Sequence, residues 1–414
     1  MNGFSIRQAV GGADLRSDVF SFLAFTTWFV SAFNIATIYL FFQSAPKNGT
    51  AVSILSSCVM LILALLARLI FGGRTEELCW YSPSKWILCY IAFTGLSLFW
   101  TPSSALFSAF GYWLEVSADA LVVIVLLGSE ETAKVGISSL QGFVYGTLVV
   151  AVVAWCAPGT GDFRLGQEDF LHPNGIGYEF AIATLFCIYL ALRYGETRWK
   201  LAGVGLAFSL LRTLSKSSII AFICAVTLYM FSRTRARART KLKILCLGIL
   251  MGLLSWGFVS RYLDIYYSQV ASAETLTGRT AIWWVSWDIA RDQPWLGHGF
   301  YSYRSIVPYF GVFEAWQAHN EWLQQFFSYG VVGLSLAIVV YVSFFRHLRR
   351  SGPTPERTLA YALLVFALVH GLTEASYLDL ELPTRLMLLL VIWCGGSAQS
   401  RVLSWALPVP AAIS

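Results

Sequence analysis

Long apolar runs recur along this chain. A helix needs about 20 mostly apolar residues to cross the hydrocarbon core of a bilayer. The runs predict spans at 19–42, 51–72, 86–100, 104–127, 138–157, 175–192, 200–213, 217–232, 244–260, 321–345, 358–375 and 384–400. We therefore expect an all-α polytopic membrane protein with about 12 transmembrane helices, in which residues 1–414 form a single integral membrane domain.

The composition argues against a soluble protein. Hydrophobic residues make up 57% of the chain and charged residues 13%, whereas soluble domains have about 45–50% and about 25%. The eight cysteines lie mostly inside apolar runs without CxxC spacing. We interpret them as small core residues rather than as a metal site or a disulfide framework. The first apolar run lacks a convincing cleavage site, so we expect it to remain as a span.

The basic residues follow the positive-inside rule if the N-terminus lies in the cytoplasm. The net charge of +6 is then explained largely by cytoplasmic loops, above all by a comb of six basic residues from Arg233 to Lys243. This comb resembles a nucleic-acid patch, but its place between two spans favours a role in topology. We expect no nucleic-acid partner, and the same orientation places the C-terminus in the cytoplasm.

Two long segments fall on the opposite, external side, at about 158–174 and 261–320. Both are too long to be simple turns, and long ordered loops are usually functional. The second segment contains TAIWWVSWDIA, in which Ile282, Val285 and Ile289 have helical spacing. The sequence thus predicts a first external loop and a large external loop that contains short interfacial helices.

Basic side chains are few on the external side, which makes each of them informative. Arg164, Arg212, Lys216 and Arg279 lie in or beside the two loops. Such cations suit a diphosphate or another anionic head group, although snorkelling and loop solvation also explain single cations. Arg279 would lie in the first turn of the predicted interfacial helix, where a cation opposes the helix dipole. A locally disfavoured charge suggests a functional need.

His319 is the strongest candidate for a general base. Asn320 follows it and is a good N-cap for the helical run EWLQQFFSYGVVGL. The positive end of that helix disfavours an imidazolium, which leaves a neutral ring that accepts a proton. The alternative is an interfacial ring with a hydrogen bond and no catalytic role.

Other polar groups have structural and functional interpretations. His172 precedes the Pro-Asn-Gly turn of the first loop, and we favour a structural role for it. Two pairs have helical spacing within predicted spans, namely Glu115 with Asp119 and His370 with Glu374. Ionisable groups inside a membrane are functional candidates. They would equally line a wet cavity, or the spans would begin and end elsewhere.

Five short motifs, in this order and spacing, resemble the O-antigen ligase/polymerase superfamily. Members include O-antigen ligases and the polymerases of O-antigen and exopolysaccharide, and the resemblance extends over nearly the whole chain. The motifs are Ser97-Leu98-Phe99-Trp100-Thr101-Pro102; Arg164-Leu165-Gly166 with His172-Pro173-Asn174; Gly278-Arg279 with Pro294-Trp295-Leu296-Gly297-His298-Gly299; His319-Asn320 with Leu323-Gln324; and Gly330-Val331-Val332-Gly333-Leu334. At Leu214-Ser215-Lys216-Ser217, members usually carry an arginine where this chain has Lys216.

The resemblance implies a chemistry and a location. Members transfer a glycan from a polyprenyl-diphosphate carrier to an acceptor hydroxyl, at the periplasmic face of the bacterial inner membrane and without a metal ion or cofactor. By position, His319 and Arg279 would be catalytic residues. The donor diphosphate would be bound by Arg164, Lys216 and Arg212, with Asn174 and Asn320 in supporting roles. Lysine keeps the charge at 216 but loses bidentate phosphate recognition.

Three functions remain open at this point. The first is a polymerase that joins lipid-linked repeat units of an exopolysaccharide or O-antigen. The second is a ligase that moves O-antigen to lipid A–core. The third is a polysaccharide or lipid transporter or flippase, for which the related halves typical of transporters are not visible in the sequence.

Overall fold

The computed structural model describes residues 3–72, 77, 79–102, 104, 106–128, 131–158, 164–167, 170–233, 276–310, 315–375 and 382–406. Within these ranges the fold is all-helical. The α-helices are α1 (Gly3–Phe41), α2 (Pro46–Phe71), α3 (Ser82–Leu96), α4 (Leu106–Leu127), α5 (Thr132–Cys156), α6 (Pro173–Tyr194), α7 (Thr197–Thr213), α8 (Lys216–Arg233), α9 (Leu276–Ala290), α10 (Tyr303–Ile306), α11 (Glu321–Arg350), α12 (Pro355–His370) and α13 (Leu382–Ala406).

The helices confirm a multi-pass membrane protein. Six of those described are long and apolar enough to cross a bilayer, and they fall in α1, α2, α4, α5, α6 and α11. Shorter apolar helices occupy Lys216–Ser232 in α8 and Leu382–Gly395 in α13. Each predicted span on described residues overlaps a helix, although α3 and α12 end before the predicted spans 86–100 and 358–375 do. The predicted span 244–260 and most of the basic comb lie outside the described residues, so the count of about 12 stays a prediction.

Helix α13 lies at the centre of the bundle. It packs against α3, α4, α5, α11 and α12, and the side chains from Leu386 to Cys394 are buried on all sides. A helix that is apolar all round is expected in such a position. Gly136 of α5 makes room for Trp393, since a Cβ atom there would lie 2.5 Å from the indole.

Small residues let α5 approach α1 closely. A Cβ atom at Gly142 would lie 2.1 Å from the backbone oxygen of Phe25, and one at Gly146 would lie 2.6 Å from that of Phe29. Close backbone contact at a G-x-x-x-G pattern is a common way to pack membrane helices, because lipid gives little hydrophobic drive for helix association.

Helix α11 is interrupted near its start, and a loop provides hydrogen-bond partners for the backbone groups there. Gly330 has φ 60°, which interrupts the helix. Loop 294–299 supplies the partners that the helix has lost, since Val331 N donates to Pro294 O at 2.8 Å and Gly299 N donates to Ser328 O at 2.7 Å. Buried backbone groups need such partners. The loop after α9 is thereby fixed against the first turns of α11.

Candidate active site

Glu374 lies where four segments meet. Helix α12 ends at His370, and Glu374 follows in the turn, with its backbone N bonded to His370 O at 2.9 Å. The carboxylate accepts hydrogen bonds from Arg279 Nη2 at 2.5 Å, His319 Nδ1 at 2.9 Å, Asn174 Nδ2 at 3.3 Å and Ser217 Oγ at 3.4 Å. These donors come from α9, the residue pair before α11, α6 and α8.

Glu374 is a buried but ionised acid. The residue is 4% exposed, and burial alone would raise the pKa of its carboxyl group. The hydrogen bond from His319 and the charge of Arg279 outweigh burial and lower the pKa to about 2. The carboxylate is therefore ionised at neutral pH and holds His319 and Arg279 in place.

His319 is oriented by its backbone and by Glu374. Its φ of 48° is rare for a residue other than glycine, and Trp283 Nε1 donates to its carbonyl oxygen at 3.4 Å. An ionised carboxylate only accepts hydrogen bonds, so Nδ1 carries the proton that it donates to Glu374. In the neutral ring, Nε2 is then the basic nitrogen. The side chain is 24% exposed, so substrate can reach it.

Arg279 occupies the first turn of α9, as the sequence predicts. Its side chain is 20% exposed, and its guanidinium is paired with Glu374. Helix α9 is held against α11, where the rings of Trp287 and Phe326 are 5.4 Å apart. The ion pair offsets the unfavourable position of a cation at a helix N-terminus and leaves guanidinium edges for an anion.

Arg164 joins the cluster through Asn174. Its Nη2 donates to Asn174 Oδ1 at 2.9 Å and its Nε donates to Thr213 O at 3.0 Å, so the buried guanidinium spans from α6 to the end of α7. Asn174 therefore bridges Arg164 and Glu374. Gly166 allows the tight loop, because its φ is 118° and a Cβ there would lie 2.3 Å from Leu171 O.

Lys216 and Arg212 flank the turn between α7 and α8. Lys216 is exposed and begins α8, next to the Ser217 that contacts Glu374. The carbonyl of Arg212 accepts from Leu165 N at 2.7 Å, and its guanidinium lies 5.8 Å from the ring of Trp155. Both cations thus lie in the segment that leads to the Ser217 contact with Glu374.

Asn320 and His172 act at helix starts. Asn320 caps α11 through its bond from Leu323 N at 3.0 Å, which confirms the predicted cap, and its Nδ2 donates to Leu372 O at 3.1 Å. His172 caps α6, with Nδ1 accepting from Asn174 N at 3.3 Å. His172 therefore has a capping contact at the turn where the sequence favours a structural role.

The structure separates the two pairs of intramembrane candidates. Glu115 accepts from Ser53 Oγ at 2.5 Å and Asp119 pairs with Arg385, so this pair links α2, α4 and α13 away from the cluster. Glu374 is central, although the sequence marked it only as one of several acids in a predicted span. Among the described residues, no group of three or more His, Cys, Asp or Glu side chains is placed to hold a metal ion.

Part of the chain is similar to known proteins. Residues 201–338 match the family model described as O-antigen ligase. An O-antigen ligase of Pseudomonas aeruginosa is 28% identical over 167 residues, which are 40% of this chain and 39% of that protein. The exopolysaccharide production protein ExoQ of Rhizobium meliloti is 24% identical over 327 residues, which are 72% of this chain and 74% of that protein. These matches confirm the resemblance seen in the motifs: residues 201–338 are similar to the O-antigen ligase family model, and the chain is distantly similar to both proteins.

Proposed function

We propose that this protein transfers a glycan from a polyprenyl-diphosphate carrier to an acceptor hydroxyl at the periplasmic face of the inner membrane, and that it polymerises repeat units of an exopolysaccharide or O-antigen. One observation carries the proposal. The imidazole of His319 and the guanidinium of Arg279 share the buried carboxylate of Glu374, so a base and a cation are held side by side near the surface of the bundle.

The proposed reaction is a direct displacement at the anomeric carbon. The acceptor oxygen forms a bond to that carbon, and the bond between the carbon and the diphosphate oxygen breaks, with the electron pair leaving on the diphosphate. The hydroxyl proton passes to Nε2 of His319. A positioned base contributes about 10²–10⁴-fold, and the carboxylate of Glu374 stabilises the resulting imidazolium as an oriented acid does in a catalytic triad. The reaction as proposed needs no metal ion or cofactor.

The cations would stabilise the negative charge of the leaving group. Negative charge develops on the diphosphate as it departs, and preorganised cations in a partly dry site stabilise that charge more than water does. Arg279 shares the carboxylate of Glu374 with His319, and Arg164 is linked to the same carboxylate through Asn174. The exposed Lys216 and the neighbouring Arg212 extend the positive surface along which a diphosphate would lie.

The distribution of charge supports the proposed orientation. The cluster gathers the starts of α6, α8 and α11 and the end of α12 at one end of the bundle. Basic residues concentrate at the other ends of the same helices and their neighbours, namely Arg193, Arg198, Lys200, Arg346, Arg349, Arg350 and Arg357. By the positive-inside rule we expect that basic end to face the cytoplasm, and this supports a periplasmic position for the cluster.

The second candidate is an O-antigen ligase that uses lipid A–core as acceptor. The similarity to the ligase of Pseudomonas aeruginosa favours it, but that match covers 40% of this chain. The similarity to the exopolysaccharide production protein ExoQ covers 72% of this chain, which supports a role in exopolysaccharide production, and we propose polymerisation as the step. The cluster itself serves both reactions, because they differ in the acceptor and share the donor chemistry.

A deletion strain of the native host separates the candidates. It is complemented with the wild type, with His319→Ala, or with His172→Asn, which removes a nearby imidazole but keeps an N-cap. We expect His172→Asn to restore the glycan and His319→Ala to fail at equal protein levels. Loss of long chains with single repeat units remaining means polymerase, and loss of O-antigen from the core with polymer left on its carrier means ligase. Full rescue by His319→Ala would contradict the proposal and favour transport.

A further inference from the structure

An apolar groove lies between α1 and α5, outside the cluster around Glu374. Its volume is about 490 Å³, which is within the range of about 300–1,000 Å³ that is usual for ligand sites. Val152 is 63% exposed, so the groove is open at the surface of the bundle. The lining residues, none of which belongs to the base or cations assigned above, are Phe25, Phe29, Tyr145, Leu148, Val149 and Val152.

The walls of the groove are aromatic and held at a fixed distance. The rings of Phe25 and Phe29 are 6.1 Å apart, and those of Phe25 and Tyr145 are 6.0 Å apart. The backbones of the same two phenylalanines make the close contacts with Gly142 and Gly146 that join α1 to α5. The groove therefore lies beside a tight helix contact, and a preformed site costs less to order on binding.

The groove leads along α5 to a cation. Tyr145, Leu148 and Val152 recur at helical spacing, and Trp155 continues the same face of α5 towards its end at Cys156. With a rise of about 1.5 Å per residue, Trp155 is only about 5 Å beyond Val152 along the axis. Its Nε1 donates to Ser209 Oγ at 3.0 Å, and the guanidinium of Arg212 lies 5.8 Å from its ring.

Arg212 links the end of the groove to the candidate active site. The carbonyl of the next residue, Thr213, accepts from Arg164 Nε at 3.0 Å, and Arg164 reaches Glu374 through Asn174. An apolar groove along a candidate span thus ends at cations that lead to the catalytic cluster. This order of surfaces matches a ligand that has an anionic head and a long apolar tail.

The shape of the groove favours a polyprenyl tail over a phospholipid chain. Lipid chains are as apolar as the groove, so selection depends on packing rather than on transfer from water. The methyl branches and rigid double bonds of a polyprenyl chain give it a fixed, bulky shape. Such a shape packs against the rings of Phe25, Phe29 and Tyr145 in a way that a saturated, unbranched chain does not.

We propose that this groove binds the part of the donor's polyprenyl chain that is nearest to the diphosphate, with the diphosphate beside Arg212. The inference rests on the proposed glycan transfer, since it names the site of the donor's lipid. The tail lies along α5 within the membrane, and the head reaches the cations at the end of the helix. The groove thereby orients the donor before its sugar meets His319.

Binding of the carrier without its sugar tests the groove. The full chain is placed in nanodiscs of phosphatidylethanolamine and phosphatidylglycerol, which supply competing acyl chains in excess. The probes are a long-chain polyprenyl diphosphate with a photoreactive group on its first isoprene units, and inorganic pyrophosphate, which has no chain. Val152→Trp fills the groove from its open side. The matched control is Val342→Trp, because Val342 is 46% exposed on α11, which packs against α3, α9, α12 and α13.

We expect Val152→Trp to raise the Kd of the polyprenyl diphosphate about tenfold, the equivalent of about 1.4 kcal/mol, and to leave the Kd of pyrophosphate unchanged. Val342→Trp should bind both probes as the wild type does. In the wild type, crosslinks should fall within 25–29 and 148–152. These crosslinks decide the matter if Val152→Trp fails to fold or loses pyrophosphate as well.

Equal affinity of the two tryptophan variants for the polyprenyl diphosphate, or wild-type crosslinks confined to other helices, would overturn the groove as the site of the tail. Glycan transfer by the wild type that His319→Ala abolishes would leave the proposed function standing in that case. The failure of the groove and the failure of the proposed function are therefore distinguishable.

Discussion

His319 and Glu374 are 55 residues apart in the sequence, and a hydrogen bond of 2.9 Å joins Nδ1 of the imidazole to Oε2 of the carboxylate. The other carboxylate oxygen holds Arg279 at 2.5 Å. One buried acid therefore fixes the tautomer of the proposed base and the position of the proposed phosphate ligand. Loss of that acid should disturb both.

Replacement of Glu374 by glutamine is the first prediction. Glu374→Gln keeps the shape but removes the charge that stabilises an imidazolium, so we expect the transfer rate to fall by about 10²–10⁴-fold, as for an acid that orients a catalytic histidine. The measurement is kcat in proteoliposomes. Glu115→Gln is the control, because Glu115 is another acid in the bundle and contacts Ser53 rather than the cluster. Similar losses in both variants would contradict a specific role for Glu374.

The pH dependence of transfer is the second prediction. The pKa of Glu374 is lowered to about 2, so its carboxylate stays ionised as pH falls through the range where an ordinary glutamic acid titrates, about 4.3. The stabilisation it gives is present above that range and is lost only as pH falls towards 2. We therefore expect no inflection of the transfer rate between pH 4 and 5. A rate loss centred between pH 4 and 5 would show that Glu374 titrates normally.

The cations give the third prediction. Arg279→Lys keeps the charge but loses the planar group that pairs with Glu374 and phosphate, so we expect a rise of about tenfold or more in the KM for the lipid-linked donor, in line with the strength of charge-assisted bonds. Lys216→Arg should keep or lower that KM, because Lys216 is exposed and the change adds bidentate recognition. An unchanged donor KM in Arg279→Lys together with a raised donor KM in Lys216→Arg would contradict binding of the diphosphate at this surface.

The contact between loop 294–299 and α11 gives the fourth prediction. A Cβ at Gly297 would lie 2.3 Å from Tyr329 N, and one at Gly330 would lie 2.4 Å from Trp295 C, with positive φ at both glycines. Gly297→Ala and Gly330→Ala should therefore lower the melting temperature and the yield of folded protein. Gly205→Ala in α7 is the control, since no atom would lie within 4 Å of its Cβ. A melting temperature unchanged in all three would show that the loop does not brace α11.

Much of the fold could be predicted from apolar runs, because the bilayer requires each spanning helix to satisfy its own backbone. The end of α12 could not be predicted from the sequence. The sequence extends that span to 375, whereas the helix ends at His370, since the carbonyls of Gly371 and Leu372 bond instead to Glu321 N and Asn320 Nδ2. These partners come from another helix, so no local pattern shows them.

Part of the candidate site could also be predicted from local sequence rules, and part could not. Asn320 at a helix start and Arg279 in a first turn follow from local rules, and the structure shows both. The four contacts of Glu374 join segments far apart in the chain, and the spacing from His370 to Glu374 is the same in a helix and in the turn that the structure shows. In the sequence, the only sign that Glu374 is important is that it is an acid within a predicted span.

The most direct test of the account is transfer by the purified chain in proteoliposomes with the lipid-linked repeat unit as the sole substrate. The measurement follows glycan length and release of polyprenyl diphosphate for the wild type, His319→Ala and His172→Asn. The account predicts longer glycan and released diphosphate from the wild type and His172→Asn, with a loss of at least about 10²-fold in His319→Ala. Product formation by His319→Ala at the rate of the wild type would contradict it.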